Sequence, residues 1–406
     1  MKSIFETASR KRIAWLACFA LMGCLLAEAL LDSGVLNPID QRLQDYWFQW
    51  QGKRIEASHV VIVSIDEDTL ADYPDDPLVF WTDRLAVAVA KLRQAQVRTV
   101  GLDMLLSISP GRWLDKLGTG MQMAARDYDR TFREQINSGK VVLVASRSVS
   151  GALASDYLLP SPDYLLALPD FDIPRHVGLA NFFDEGDGVV RHFQVAPSGN
   201  VKKGGSAEGA PVLGFAALLA IRATGLDPMA TNWKIQDAHL SRNPMPIFIP
   251  YVGPPGSIPL ISLKQLLDQD PLSESTKSLL RDKVVLIGVG TGLNDDHFTP
   301  YSSSLFSRRG SLMSGVEVHA NVVEALLSGQ RLSPMNSATR VALLFSVCVG
   351  AALAFSAMAA WLGAFVWFGG VALMVVTGYL LFRAGLLIPI TAFAVASALV
   401  LLGVIA

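Results

Sequence analysis

The fold is decided by a stretch that opens with Lys283-Val-Val-Leu-Ile-Gly288, passes through Asp295-Asp-His-Phe-Thr-Pro300, and continues as Gly315-Val-Glu-Val-His-Ala-Asn321 to Gly329. Its first part is an apolar, β-branched run, the pattern of a strand buried on both faces. A glycine-rich break at 288–292 and a polar loop follow. Val316, Ala320, Val323 and Leu327 then recur at helical spacing, and Gly329 is the expected C-terminal stop. Only residues 330–337 separate this helix from a long apolar run, so strand, loop and helix lie between a polar domain and a membrane segment.

The composition requires such a division. With 51% hydrophobic and 17% charged residues in a chain of 406, the protein is too apolar for an ordinary soluble chain and too polar for a bare membrane bundle. Its 34 basic and 36 acidic residues nearly cancel, and no basic stripe interleaved with aromatics occurs, so nucleic acid is not expected as a partner.

Hydropathy divides the chain into a cytoplasmic N-terminus (1–12), a membrane helix (13–31), an extracytoplasmic domain (32–337) and three further membrane helices (338–358, 361–382 and 386–405). Lys2, Arg10, Lys11 and Arg12 precede the first helix and hold the N-terminus inside, and an even number of crossings returns the C-terminus to the cytoplasm. The expected location is the inner, or plasma, membrane. Leu21-Met-Gly-Cys24 is close to a lipoprotein cleavage box, but the residues after Cys24 stay apolar, which argues against cleavage. Glu28, near the outer end of the first helix, is expected to snorkel to the interface. Small residues such as Gly350, Ala354, Gly363 and Gly370 permit close helix packing, within one chain or in a homo-oligomer. All three cysteines lie in the apolar runs, so the outer domain is not a disulfide scaffold.

Within the outer domain, residues 41–50 read as an amphipathic lead with Leu43, Tyr46, Trp47 and Trp50 on one face. A strand at 59–65, a helix at 82–96 and a strand at 97–102 make a βαβ unit, and a helix at 121–137 and a strand at 140–145 extend it. With the 284–287 strand, this is an α/β domain built on an open, mostly parallel sheet. Residues 147–282 read as an inserted cap of hairpin and helices. A hairpin is expected from 177–183 and 189–195 around Asp184-Glu-Gly-Asp-Gly188, then a polar loop at 197–209 and a helix at 211–223.

In this order, several runs resemble the second type of CHASE domain, the extracellular sensory domain associated with cyclases and histidine kinases. They are Val60-Val-Ile-Val-Ser-Ile-Asp66, Trp81-Thr-Asp-Arg84, Val100-Gly-Leu-Asp103, Asp187-Gly-Val-Val-Arg191, Val284-Val-Leu-Ile-Gly288, Asp296-His-Phe-Thr-Pro300 and Gly315-Val-Glu-Val-His-Ala-Asn321. The resemblance implies a membrane-anchored sensor and structural roles for Trp81, Arg84, Arg191 and Asn321. Members of that family generally continue into a cytoplasmic effector, such as a nucleotide cyclase, a diguanylate cyclase or a kinase, whereas the sequence here ends at Ala406. The expectation is therefore a signal-input protein that is not itself an enzyme. The alternatives are the sensory half of a truncated receptor enzyme and a scaffold that binds an extracytoplasmic protein partner without sensing.

Other chemistries fit less well. Asp66-Glu-Asp-Thr69 places its threonine one residue too early for the phosphatase pattern Asp-x-Asp-x-Thr. Residues 288–292 are too short for a dinucleotide fingerprint, and no nucleophile elbow accompanies the serines and histidines. Asp66, Asp103 and Asp296 each follow a strand expected in one sheet, and ligands bind outside the carboxyl ends of such strands. With Glu317 and His319 they form a candidate ligand site for a divalent cation or a basic ligand. The competing reading makes Asp66 and Asp103 caps or turns, pairs Asp296 with Arg84, and leaves His319 as a satisfied interface residue. No organic cofactor is indicated. The expected partners are the lipid bilayer, a second copy of the chain, and either an outer protein or a cytoplasmic effector.

Overall fold

A computed structural model describes residues 2–115, 127–147, 157–183, 185–197, 213–293, 295–302 and 311–405. The 197–209 loop (from 198 on), the start of the 121–137 helix (121–126) and the start of the 211–223 helix (211–212) lie outside the described residues. Two compact units form, Gly52–Arg331 and the combination of Met1–Gln51 with Leu332–Ala406.

The Gly52–Arg331 unit is built on a seven-stranded sheet. Its strands are β1 (Val60–Ile65), β2 (Thr99–Asp103), β3 (Val141–Arg147), β4 (Tyr157–Leu158), β5 (Val177–Leu179), β6 (Leu260–Ser262) and β7 (Val284–Val289). The order is β6-β1-β7-β2-β3-β4, with β5 also paired to β3, and only the β3–β4 pair is antiparallel. Val63 lies beside Ile261 and Ile287, and Val285 beside Val100. The six residues of β1 are all buried, as expected for parallel strands covered on both faces. One face packs Val61, Val63, Val285, Ile287, Val100 and Leu102 against Leu85, Val89 and Leu92 of the Thr82–Gln94 helix and Leu263 and Leu266 of the Leu263–Asp268 helix. The other face takes the Phe215–Ala223 and Gly315–Ser328 helices, which are buried along most of their length. Two strand glycines allow that approach. A side-chain carbon on Gly101 would lie 2.7 Å from Phe215 Cζ, and one on Gly288 would lie 2.7 Å from Val316 Cβ.

The βαβ reading of β1 and β2 as parallel strands is correct, and β7 inserts between them. The hairpin expected from 177–183 and 189–195 does not form. β5 is buried throughout and joins β3 in parallel, while His192–Gln194 pairs antiparallel with Pro246–Phe248. Gly186 and Gly188 still take φ of 82° and 77°, but they shape an ion-paired turn rather than a hairpin loop. The hairpin of the inserted region is instead Asn232–Ile235 with Ala238–Ser241, where alternate residues of the first strand are buried.

In the other unit, three helices are long and apolar enough to cross a membrane: Ala14–Asp32, Ser337–Ser356 and Ala360–Arg383. The fourth expected span, 386–405, is shorter than its hydropathy suggests. Gly385 turns at φ 89°, Leu386–Leu387 pairs with Ser333–Pro334, and the helix is Ile390–Ile405, of 16 residues. Ala20, Cys24, Leu344, Cys348, Ala396 and Val400 pack these helices together, and Phe365, Phe368 and Leu373 point outward, as lipid contact requires. Glu28 does not simply reach for the interface. It receives Arg340 Nε at 3.1 Å and Nη2 at 2.7 Å in a two-point ion pair.

The amphipathic lead, Asn37–Gln51, belongs to this second unit. Trp47 is buried, and a side chain on Gly378 would meet its ring at 2.8 Å. Asp40 accepts from Thr391 N at 3.0 Å and from the Thr391 hydroxyl, tying the lead to the first turn of the Ile390–Ile405 helix. Trp50, on the same predicted face, is exposed instead and meets Tyr379 edge-on.

Candidate functional site

β2, β3 and β5 end together at one edge of the sheet, where the loop after β7 also arrives, and there a cavity of about 390 Å³ opens. This is where open α/β sheets bind ligands, because loops diverge there and leave a crevice. Asp103 from the end of β2, Ser146 from β3 and the run Ala180-Asn-Phe-Phe183 after β5 supply part of the lining. Asp295 and His297 enter from the loop after β7, and Gly315 and His319 from the first turns of the Gly315–Ser328 helix.

Asp103 is held by strand register beside Gly288. The residue as a whole is half-buried, yet its Oδ2 is shielded from solvent and has no hydrogen-bond partner among the described residues. Burial pushes this carboxyl up to about 7, and the charge of nearby Asp295 adds to the shift. Asp295 moves the other way, since His297 Nε2 donates to its Oδ1 at 3.1 Å and favours the ionised form. Below about pH 7 the negative charge of this pair therefore rests on Asp295. Gly315 makes room for that carboxylate, because a side-chain carbon there would meet Asp295 Oδ2.

His297 lies edge-on to Phe182, and His319 stacks on the same ring. Burial holds His319 down at about 3, so it is a neutral aromatic wall at physiological pH. Glu185 completes the acidic lining, but Arg191 Nη1 and His192 Nδ1 engage it at 3.1 and 2.6 Å. Arg191 also reaches Asp187, which braces the turn that carries Glu185.

Of the five candidate ligand residues, the cavity gathers Asp103 and His319. Asp66 caps the Glu67–Ala71 helix, accepting from Thr69 N at 2.9 Å and from Ser262 Oγ at 3.0 Å. Burial alone would raise its pKa, but the hydrogen bonds from Thr69 and Ser262 outweigh burial and lower it. Asp296 accepts from Gly292 N in its own loop. Arg84 is not its partner. That guanidinium pairs with Asp76 at 2.6 Å and lies over Tyr73, which stacks edge-on to buried Trp81. Glu317 is buried and accepts from Gly256 N at 2.7 Å, holding the Pro254-Pro-Gly256 turn. Asn321 accepts from Val252 N and donates to Glu317 O, closing the same junction. Among the described residues, no group of three or more His, Cys, Asp or Glu is placed to hold a metal ion.

Asp295, His297 and Phe182 do not stand out in the sequence as site residues. Asp295 and Asp296 are adjacent, and alternation of side chains allows only one of them to face the cavity. Nothing local marks which one. The contact between His59 Nδ1 and Glu324, at 2.9 Å, has no sequence signal either.

The CHASE2 domain family matches residues 16–359, a range that includes every strand of the sheet and every wall of the cavity. Comparison with curated proteins and with solved structures returned no match. The family is one of extracellular sensory domains in receptor proteins, and it is sensory rather than catalytic. A parallel sheet with its strand ends gathered around a cavity, and apolar helices flanking it in sequence, agree with the matched range: the chain is a membrane protein of the CHASE2 domain family.

Proposed function

We propose that this protein is a membrane-anchored signal-input device whose Gly52–Arg331 unit faces away from the cytoplasm and binds a small ligand at the carboxyl edge of its sheet. The carrying observation is that Gly315 and His319, which line the cavity, belong to a helix whose C-terminal cap, Gly329, is followed within residues 330–336 by the Ser337–Ser356 helix. A ligand can shift an equilibrium only by binding two states unequally, and a wall that is also the route to the membrane makes such a difference felt. Lys2, Arg10, Lys11 and Arg12 support a cytoplasmic N-terminus in the inner membrane. The Ile390–Ile405 helix crosses as well on this reading. Its rise of about 24 Å is short of a hydrocarbon core of about 30 Å, a mismatch that local thinning accommodates. The output goes to a cytoplasmic effector such as a cyclase or kinase, and the working form is a homo-oligomer.

The test has two parts. Fusions of a cytoplasm-active reporter to the C-terminus should be active, and fusions within 52–331 silent. Hydrogen exchange on the full chain in nanodiscs, with and without a compound selected by thermal-shift screening, should show changed protection in Gly315–Ser328 and 329–336. If no compound stabilises the protein and a protein partner is captured instead, the scaffold reading replaces this one.

A further inference from the structure

We propose that the cavity is a receptor site for a small organic cation, an amine of modest size whose ammonium group pairs with Asp103, an inference that rests on the sensory reading above. The lining carries three carboxylates, Asp103, Asp295 and Glu185, and no lysine or arginine among the described residues. Two of the three already have cationic or donor partners: His297 for Asp295, and Arg191 with His192 for Glu185. Asp103 Oδ2 is enclosed and has none among the described residues. A buried carboxylate oxygen without a donor is costly, and an N–H group brought by a ligand removes that cost.

The surroundings select among cations. Hard divalent metals need several oxygen ligands converging at once, and no such group exists among the described residues. Aromatic rings share the lining instead, Phe182 stacked on the neutral His319 ring and Phe183 edge-on to His192, and aromatic faces attract organic ammonium groups. An anionic ligand would meet the carboxylates with no lysine or arginine among the described lining residues to receive it, Arg191 being engaged by Glu185 and Asp187. The tendency of Asp103 to hold a proton near neutrality agrees with an incomplete site, because a bound ammonium would favour its ionised form. Binding should therefore tighten as Asp103 ionises. Asp295, His297, His319 and Glu185 are the other titratable groups lining the space, and Asp295 is ionised and His319 neutral throughout that range.

The experiment uses the full chain in detergent at about pH 8, where Asp103 is mostly ionised. Thermal shift and calorimetry would compare 2-phenylethylamine and 1,4-diaminobutane with the neutral 2-phenylethanol, the anionic 3-phenylpropionate, and Mg²⁺ or Ca²⁺ alone. At least one amine is expected to raise the melting temperature in a saturable way. Asp103→Asn should weaken that amine by about tenfold or more, with the fold retained because the side chains are isosteric. Asp295→Asn, which leaves Asp103 in place, should weaken it less and serves if the first variant does not fold. An amine response untouched by Asp103→Asn overturns the assignment of Asp103. Stabilisation by the alcohol, the acid or the metal in place of the amines overturns the ligand class while leaving the cavity's sensory role standing. Indifference to every probe, together with no hit in the broader screen, overturns both.

Discussion

The imidazole of His319 stacks on the ring of Phe182 with centroids 4.5 Å apart and planes 28° from parallel. This joins the Gly315–Ser328 helix to the segment after β5 in the cavity wall, and Phe215 meets the imidazole edge-on at 5.2 Å. A shift of the helix along its axis would have to rearrange this ring contact.

His319 should give the protein an acid-sensitive component of stability. Its folded pKa lies at about 3 against an ordinary 6.5, because charging it in the interior is unfavourable. The contribution is complete above pH 6.5 and is lost as the pH falls from there toward about 3, at up to roughly 1.4 kcal/mol per pH unit. His319→Phe should keep the stack and reduce the slope of urea midpoint against pH between pH 6.5 and 4, leaving the part due to His176, which burial holds at about 4. Identical profiles for wild type and variant would mean that His319 is charged when folded.

Asp103 should act with the opposite sign. Its folded pKa of about 7 lies above the ordinary 3.8, so stability on its account is greatest below 3.8 and declines as the pH rises through about 7. Without ligand, Asp103→Asn should melt several degrees above wild type at about pH 8, and the gap should close near pH 4. A variant less stable than wild type at the higher pH would show that the carboxylate has a favourable partner in the folded state.

Glu324 is fully buried and holds the entrance to β1, accepting from Ser58 N at 3.1 Å, from His59 N at 2.8 Å and from His59 Nδ1 at 2.9 Å. Replacing it by alanine leaves two backbone donors unsatisfied beside a new void, and should cost about 2–4 kcal/mol. Glu324→Gln, which keeps one acceptor oxygen, should recover part of this loss. Chemical denaturation of the three proteins measures the difference, and a loss below about 1 kcal/mol would mean that water takes over the role of Glu324.

Gly350 is exposed and has open space around its α-carbon, while Ala354, one turn on, is half-exposed. If the homo-oligomer forms through this face, single cysteines along Ser337–Ser356 should crosslink with helical periodicity centred on 350 and 354. The double replacement Gly350→Leu, Ala354→Leu should abolish the pattern and leave insertion intact, since leucine favours the bilayer core. Crosslinks of equal strength around the helix would point to random collision instead.

Local sequence determined the elements with little help from elsewhere. The buried run Val284–Val289 reads directly as a strand, the spacing of Val316, Ala320, Val323 and Leu327 as a helix, and Gly329 as its left-handed cap, observed at φ 74°. Three of the four apolar runs that hydropathy marks form helices long and apolar enough to cross a membrane, and membership of the sensory family follows from the order of short motifs. Each is a matter of neighbours a few residues apart, where backbone sterics and solvation act on the chain directly. The arrangement of those elements was decided at long range. β7 settles between β1 and β2 although some 180 residues separate it from β2, because helices on both faces leave the centre for a strand with no polar side. Asp66 is drawn to Ser262 rather than into the cavity, and Asp295, not its neighbour Asp296, turns inward beside the space left by Gly315. The fourth apolar run loses its first residues to pairing with Ser333–Pro334. These choices depend on which distant backbone supplies a donor or a gap, and that information exists only once the sheet has closed around its helices.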